Sequence, residues 1–315
     1  NHFFGNQFTI MGQIDSNLTT YQTQLPNRKY LLSQETKNNG LLCFDFVDKL
    51  VAKKMIEENH YSKSWYHSMG KINVGVFQND ILLGIASFGA IKVASSYKKI
   101  RKDIEKHEVI ELNRLWIDDK LKKNAESILI SKSIKLIKKY HPEIRVIQSF
   151  ADGRLGCGTI YQASNFGYYG FHETEFFEDK ESGRCYHEMV FHFASRPIVI
   201  TRNLEMMQNR FRKFITRTYR YLYLIDKQID VLYQEQEYVK EGVFKKYLDW
   251  QFDAEEVDRQ IKNCLKYHFS KLGKPKITFS FGDEKYKYTK EMWEKNIHPK
   301  KLVLESKNPL FRDNT

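Results

Sequence analysis

The segment Ser149-Phe-Ala-Asp-Gly-Arg-Leu-Gly-Cys-Gly-Thr-Ile-Tyr-Gln-Ala-Ser-Asn-Phe-Gly-Tyr-Tyr-Gly170 changes character three times. It enters on the apolar run Arg145–Phe150, which predicts a strand. Residues 152–158 follow with Gly153, Gly156 and Gly158, a glycine-rich loop whose backbone can approach another group closely. Thr159–Asn165 then reads as a short helix, and Tyr168–Phe171 as the next strand. Strand, loop, helix, strand is the pattern of an α/β unit. It sets Asp152 just beyond a strand's carboxyl end, where open α/β sheets place their chemistry. Tyr161 follows on the helix. A carboxylate with a phenol nearby can orient and deprotonate an amine or a hydroxyl. A tight turn with a helix-capping Asp would use the same residues. The glycine spacing resembles a phosphate cradle, yet the P-loop Lys-Ser/Thr is absent. No acidic residue stands about 20 positions on to take a ribose.

Outward from this segment, the pattern extends in both directions. Leu41–Phe46 is a short apolar run. Phe46, Leu50, Met55 and Ile56 then recur at helical spacing up to Asn59-His60. Ile72–Phe77 and Ile81–Phe88 flank the turn residues Gln78-Asn79-Asp80 and predict a hairpin. Val109–Ile117 is a further strand. A helix runs from about Asn124 to Tyr140, with Ile128, Ile130, Ile134 and Ile137 on its apolar side, and ends at His141-Pro142. Tyr186–Phe193 and the alternating Tyr219–Leu224 predict strands. Residues 235–270 read as helical and Ile277–Phe281 as a strand. The expected architecture is α/β (α+β): a mixed central sheet flanked by helices, with a C-terminal α/β extension. Three regions are expected: an N-terminal arm over 1–40, a catalytic domain over 41–224, and a mostly helical extension over 225–315.

Composition bounds the function. The chain has 315 residues, 41% hydrophobic and 29% charged, which is enough apolar surface for a packed core. No run reaches 18 apolar residues, so no membrane span is predicted. The first 20 residues lack a basic flank followed by an apolar run, so no secretory leader is expected. Cys43, Cys157, Cys185 and Cys264 are scattered, which suits a reducing cytoplasm better than a disulfide framework. Lys and Arg exceed Asp and Glu by 51 to 39, a formal charge of +12. That surplus favours a polyanion such as nucleic acid, although a Lys-rich proteome would give it too.

Other segments carry candidate chemistry. Asn59-His60-Tyr61-Ser62-Lys63-Ser64-Trp65 gathers donors, acceptors and aromatic faces suited to base stacking. His60 could be a base, a metal ligand, or simply a histidine favoured by a helix C-terminus. Asn124-Ala-Glu-Ser127 opens a helix whose free amides could bind an anion, or whose side chains only cap it. Thr201–Arg220 holds Arg202, Arg210, Arg212, Lys213, Arg217 and Arg220 against one acid, Glu205. The Asn/Asp-Pro-Pro-Tyr motif of amino-methyltransferases and the zinc-deaminase signature are both missing.

The strand–helix order with a central hairpin resembles the GCN5-related N-acetyltransferase (GNAT) fold. Tyr161-Gln-Ala-Ser-Asn-Phe166 is similar to a helix ending common there. A narrower likeness rests on several pieces taken in order. They are His60-Tyr61-Ser62, Gly84-Ile-Ala-Ser-Phe-Gly89, Asn113-Arg114-Leu-Trp116, Asp118, Asn124-Ala-Glu-Ser127, Ser149-Phe-Ala-Asp152 and Gly158-Thr-Ile-Tyr161-Gln-Ala-Ser-Asn165-Phe166. Together, over roughly residues 41–224, they resemble the Mom family of phage DNA-modification proteins.

That resemblance implies transfer of a carbamoylmethyl or acyl-type group to the exocyclic amine of adenine in double-stranded DNA. The modification would shield phage DNA from host restriction enzymes, in the host cytoplasm. By position it implies His60, Tyr61, Asp152 and Tyr161 as the catalytic set. Asn124, Ser127 and Asn165 would bind a small-molecule group donor, an acyl-CoA or another compound. Lys122-Lys-Asn-Ala-Glu-Ser127 stands where a pyrophosphate-loop pattern would be expected, which leaves the donor open. Iron is associated with the family, so the resemblance also offers His60 and Asp152 as metal ligands. Lys63, Trp65, Arg114, Arg154, Arg210, Arg212, Lys213 and Arg217 would contact DNA, its phosphates or a flipped base. Two rivals stay open from sequence: a GNAT acetyltransferase acting on a small amine or protein, and a non-catalytic basic DNA-binding protein. Fold alone does not separate them.

Overall fold

In the computed structural model the described residues are 21–22, 29–91, 96–188, 208–251, 253–281 and 284–299. Most of the 1–40 arm, residues 189–193 of the expected strand at 186–193, and Arg202 lie outside them. The contacts divide the chain into two units. The first comprises 1–171 and 219–242, the second 172–218 and 243–315, so the boundaries do not follow the expected division at 224/225.

The first unit is a mixed sheet with helices, as the pattern predicts. Its strands are β1 (Tyr21–Gln22), β2 (Leu32–Thr36), β3 (Gly40–Phe46), β4 (Ile72–Gln78), β5 (Ile81–Gly89), β6 (Val109–Ile117) and β7 (Val146–Asp152). β8 (Gly167–Asp179) and β10 (Phe211–Leu224) run on into the second unit; β9 is Cys185–His187. The helices of the first unit are α1 (Lys49–Asn59), α2 (Ala125–Tyr140) and α3 (Thr159–Gln162). The strand order is β2-β3-β4-β5-β6-β7-β10-β8-β9, with β1 beside β5. Pairing is antiparallel from β2 to β6, and β6 with β7 is parallel.

Local chemistry sets these elements. The β4–β5 hairpin turns on Asn79 and Asp80, both in the left-handed region (φ 50° and 62°), which residues with short polar side chains tolerate. Asp48 caps α1 by accepting from the Leu50 amide at 2.7 Å. α2 buries Leu129, Ile130, Ser133, Ile134, Leu136 and Ile137, one stripe at helical spacing. That stripe joins Phe44, Val74, Val76, Ala86 and Phe88 of the sheet in the largest core cluster.

Two irregularities in the sheet make room for polar groups. Opposite Ser87 and Phe88, the register jumps from Arg114 to Leu112, so Asn113 is an extra, bulged residue in β6. And β6 and β7 pair only at Val109–Glu111 with Val146–Gln148. Beyond that point the remaining residues of both strands form no ladder with each other.

The second unit contains the far halves of β8 and β10, and β9, which pairs with β8. It also holds β11 (Lys246–Leu248), which pairs with β10. Then come α4 (Ala254–Lys266), a π-type turn at Tyr267–Lys271, β12 (Lys276–Phe281), β13 (Glu284–Thr289) and α5 (Lys290–Glu294). The helix expected over 235–270 is therefore confined to its last part. The described residues of 235–253 form no helix, because other segments claim several of them through hydrogen bonds. The Gln236 amide donates to Tyr168 O at 2.8 Å and Tyr238 Oη to Phe166 O at 2.7 Å. Thr216 Oγ1 donates to Phe244 O at 2.7 Å. Such tertiary pairing overrides helix propensity. Leu129 is fully buried in the first unit's core. Leu129→Ala should cost about 2–5 kcal/mol, read as a lower urea midpoint at unchanged slope, whereas exposed Lys135→Ala should change it by about 0.5 kcal/mol at most.

Candidate active site

The site grows from the place where β6 and β7 part. Backbone groups freed from the ladder need other partners. Ser149 supplies one, its hydroxyl donating to Leu112 O at 3.1 Å. Across the gap, Glu111 accepts from Asn113 Nδ2 at 2.8 Å and from Gln148 Nε2 at 3.3 Å. The bulge turns Asn113 toward Gly89, where any side chain on residue 89 would come within 2.5 Å of Asn113 Oδ1 and 2.2 Å of Ser68 O.

Tyr161 closes the inner side. It is buried beside Ser149 and packed at a tilt against Tyr221 and Phe166 at ring distances of 5.2 and 5.6 Å. Burial pushes its phenol up to about 12, the Ser149 contact opposes this, and Tyr61 and Glu111 add to it. Tyr161 is thus a protonated phenol at neutral pH. Gly158 makes the fit possible: it is left-handed (φ 89°), and a Cβ there would meet Ala151, Tyr221 and Tyr161 at 2.7–3.0 Å.

Asp152 is the last residue of β7. Its carboxylate is held by Arg154, whose Nε lies 3.0 Å from both oxygens and whose outer nitrogen lies 2.5 Å from Oδ2. The Arg154 amide also donates to Oδ1 at 3.0 Å. The expected free base is therefore clasped in a fork-on-carboxylate pair.

His60 caps the end of α1 and is buried. A directional chain orients it. Arg114 donates to Ser64 Oγ at 2.9 Å, Ser64 Oγ to Ser62 Oγ at 3.2 Å, and Ser62 sits 2.9 Å from His60 Nδ1. The Ser62 amide donates to the same Nδ1 at 3.1 Å, which leaves the proton of the neutral ring on Nε2. Burial first, and then the Arg114 charge, lower the His60 pKa to about 4. Tyr61 lies over this ring at 4.2 Å and is 63% exposed. The protein around it and the Asp152 charge raise its pKa, while Arg114 and Arg154 oppose that. Asp152 thus acts on Tyr61, and Tyr61 on Tyr161, through charge. His60 and Tyr61 share a ring contact, Arg114 reaches His60 through Ser64 and Ser62, and Arg154 holds Asp152.

Other expected residues stand apart. Trp65 is half-buried, packed over Gly70 and beside the cluster of Ala52, Met55 and Ile56. Its ring is a lid on that cluster; the open aromatic faces are Tyr61 and Tyr66, with Arg114 5.7 Å from the Tyr66 ring. Lys63 is exposed in a left-handed turn. Ser127 Oγ donates back to Asn124 O at 3.1 Å, so it serves its own helix turn. Asn124 (φ 75°) makes no capping bond, and the amides of Glu126 and Ser127 have no partner among the described residues. Asn165 is an exposed left-handed residue beyond α3. In the second unit, Arg210 pairs with Asp179 at 2.8 Å, Arg212 with Glu178 at 2.8 Å, and Lys213 with Glu175 at 2.6 Å. Arg217 lies 4.1 Å over the Phe244 ring. Arg210, Arg212 and Lys213, expected to hold DNA, are therefore each matched by a carboxylate of their own unit.

An iron ion does not fit the expected ligands. Among the described residues no three His, Cys, Asp or Glu side chains come together to hold a metal. His60 offers Nδ1 to Ser62, and Asp152 is taken by Arg154.

The structure adds Ser62, Ser64, Glu111, Asn113, Gln148 and Ser149, to which sequence reasoning assigns no role of their own. The alternating hydroxyls after His60 are a readable hint. The bulge at Asn113 leaves none.

A phenol, a carboxylate, a neutral imidazole and two guanidinium groups thus stand beside the parted strands. The chain belongs to the Mom protein family, whose model matches residues 42–240. It is 32% identical to the methylcarbamoylase mom of Escherichia phage Mu over 199 residues, 62% of this chain and 78% of that one. Among solved structures it is similar to an N-acetyltransferase from Staphylococcus aureus Mu50, with TM-score 0.29 and 15% identity over 49% of this chain and 67% of that one. It is similar also to Arabidopsis thaliana NAA60 in complex with a bisubstrate analogue, with TM-score 0.37 and 12% identity over 59% and 98%.

The depressed His60 pKa carries a stability signature. In the unfolded chain His60 takes up its proton near pH 6.5, in the fold only near 4, so the unfolded state binds more protons between these values. Stability should therefore fall as pH drops from 6.5 to 4, by up to about 3 kcal/mol from this group. Urea unfolding at a series of pH values should show that fall, and His60→Asn should flatten it.

Proposed function

We propose that this protein transfers a carbamoylmethyl or acyl-type group from a small-molecule donor to the exocyclic amine of adenine in double-stranded phage DNA, in the host cytoplasm, and so shields that DNA from restriction. The observation that supports the reading is the electrostatic coupling of Asp152 to Tyr61 and of Tyr61 to Tyr161, with the His60 ring against Tyr61, in a chain of the Mom family.

Adenine's exocyclic nitrogen is a weak nucleophile because its lone pair is delocalised into the ring. It needs a base that removes its proton as the new bond forms. In this reading Asp152 is that base, once Arg154 lets go. An arriving phosphate is the natural competitor for the Arg154 guanidinium, so docking of DNA would free the base and anchor the polymer together. The bond from nitrogen to the donor carbon forms as the donor's bond to its leaving group breaks. The leaving group takes the Tyr161 proton, which a phenol at about 12 still holds at neutral pH. His60 presents Nε2–H, a neutral hydrogen-bond donor aimed by Arg114, Ser64 and Ser62.

The target amine is buried by base pairing, so the base has to leave the helix at a cost of a few kcal/mol. Stacking on Tyr61 or Tyr66 returns about 1–3 kcal/mol. For the donor, the free amides of Glu126 and Ser127 at the start of α2, with Asn124 before them and Lys122 and Lys123 beside them in sequence, offer an anion site.

The test is mass spectrometry of nucleosides digested from DNA co-expressed with the protein. A modified deoxyadenosine is expected. Asp152→Asn and Tyr161→Phe should each reduce it by about 100-fold or more while leaving the fold intact. An unmodified digest from the wild-type chain, or full modification by Asp152→Asn, would overturn the reading.

A further inference from the structure

Beyond residue 240, where the family match ends, the second unit carries a surface that the proposed reaction does not use. The β12–β13 hairpin has two unlike faces. Its register pairs Ile277 with Tyr288 and Phe279 with Tyr286, and these four point inward. Phe279 stacks on Tyr286 at 5.4 Å, and Phe269 packs on Tyr288 and Trp293 at 5.9 and 5.6 Å. Val257, Ile261, Cys264 and Leu265 of α4 complete this small core. Tyr288 Oη donates to Ile297 O at 2.5 Å and fastens the following segment. The hairpin is therefore a rigid platform.

Strand alternation sends the other set outward. Lys276, Thr278, Lys285 and Lys287 are all exposed, with Lys287 opposite Thr278. None of the three lysines forms an ion pair with a described residue. Lys271 and Lys274, also exposed, lead into the same hairpin. This differs from the start of β10 and the residue before it, where Arg210, Arg212 and Lys213 each meet a carboxylate.

We propose that the outer face of the β12–β13 hairpin binds the phosphate backbone of duplex DNA without regard to sequence. The chemistry of the face selects that ligand. Lysine ammonium groups are mobile point charges suited to phosphate oxygens, and they lack the planar fork that reads a base edge. Phe279, Tyr286 and Tyr288 are turned into the core, so among the described side chains the face offers no ring on which an unpaired base could stack. A duplex, which displays phosphates and hides its bases, matches it better than a single strand. The inference rests on the reading that DNA is the substrate, and adds a second point of attachment outside the family-matched residues.

The test uses the full chain and a duplex of about 30 base pairs, without donor, with binding followed by fluorescence anisotropy across a salt series. Each phosphate contact contributes about 0.9 to the slope of log affinity against log salt. Lys276→Gln, Lys285→Gln and Lys287→Gln together should lower that slope by about 2.7 and weaken low-salt binding at least about tenfold. The triple Lys→Arg variant should keep the wild-type slope, and circular dichroism should show both variants folded. A glutamine variant with wild-type slope and affinity overturns the proposal, and so does a loss seen only on a single strand of the same length. Because no reaction is read, the outcome is separable from the function: an unmodified nucleoside digest would count against the chemistry alone.

Discussion

Two parallel strands that begin together and then separate impose a debt of hydrogen bonds on whatever lies between them. In this protein β6 and β7 share three register pairs and then diverge. Past Glu111 and Gln148, each exposed peptide group requires a side chain, a solvent molecule or a ligand. Ser149 answers one of them through Leu112 O, and Tyr161 leans on Ser149 in turn. Glu111 ties Asn113 to Gln148 across the opening. The bulge at Asn113 and the glycine at 89 keep the β6 side of the gap in place. The site is thus a consequence of an interrupted sheet, filled by polar side chains that would be costly to bury anywhere else.

Burial then sorts the titratable groups into roles. The same desolvation that keeps Tyr161 protonated keeps His60 uncharged, because a low-polarity environment disfavours any ion. The Asp152 carboxylate is held instead by the guanidinium of Arg154. Burial thus governs the phenol and the imidazole, and an ion pair the carboxylate.

Much of this is legible in the residues. The hairpin at Asn79-Asp80, the strand at 109–117 and the helix ending at Tyr140 follow from turn chemistry and periodicity, which are local. Asp152 and Tyr161 can be singled out because a strand end and a glycine-rich loop fix where they sit. The bulge at Asn113 cannot, since nothing local distinguishes a bulged asparagine from a paired one. The stretch 235–253 misleads for a related reason. Its polar composition tolerates a helix, and only distant partners such as Tyr168 O and Phe166 O hold it otherwise. The basic cluster at 210–217 misleads differently: a count of charges in one segment is blind to Asp179, Glu178 and Glu175, which come from elsewhere in the chain.

The clasp between Arg154 and Asp152 has a bearing on selectivity. An uncharged nucleoside has no anion with which to prise the guanidinium away, and a mononucleotide can offer only what one phosphate reaches. A long polyanion brings many at once and in fixed spacing. On the proposed reading, the resting enzyme would ignore the abundant free nucleosides of its host and spend little donor on water. Restraint of this kind is stored in two adjoining side chains rather than in a moving lid.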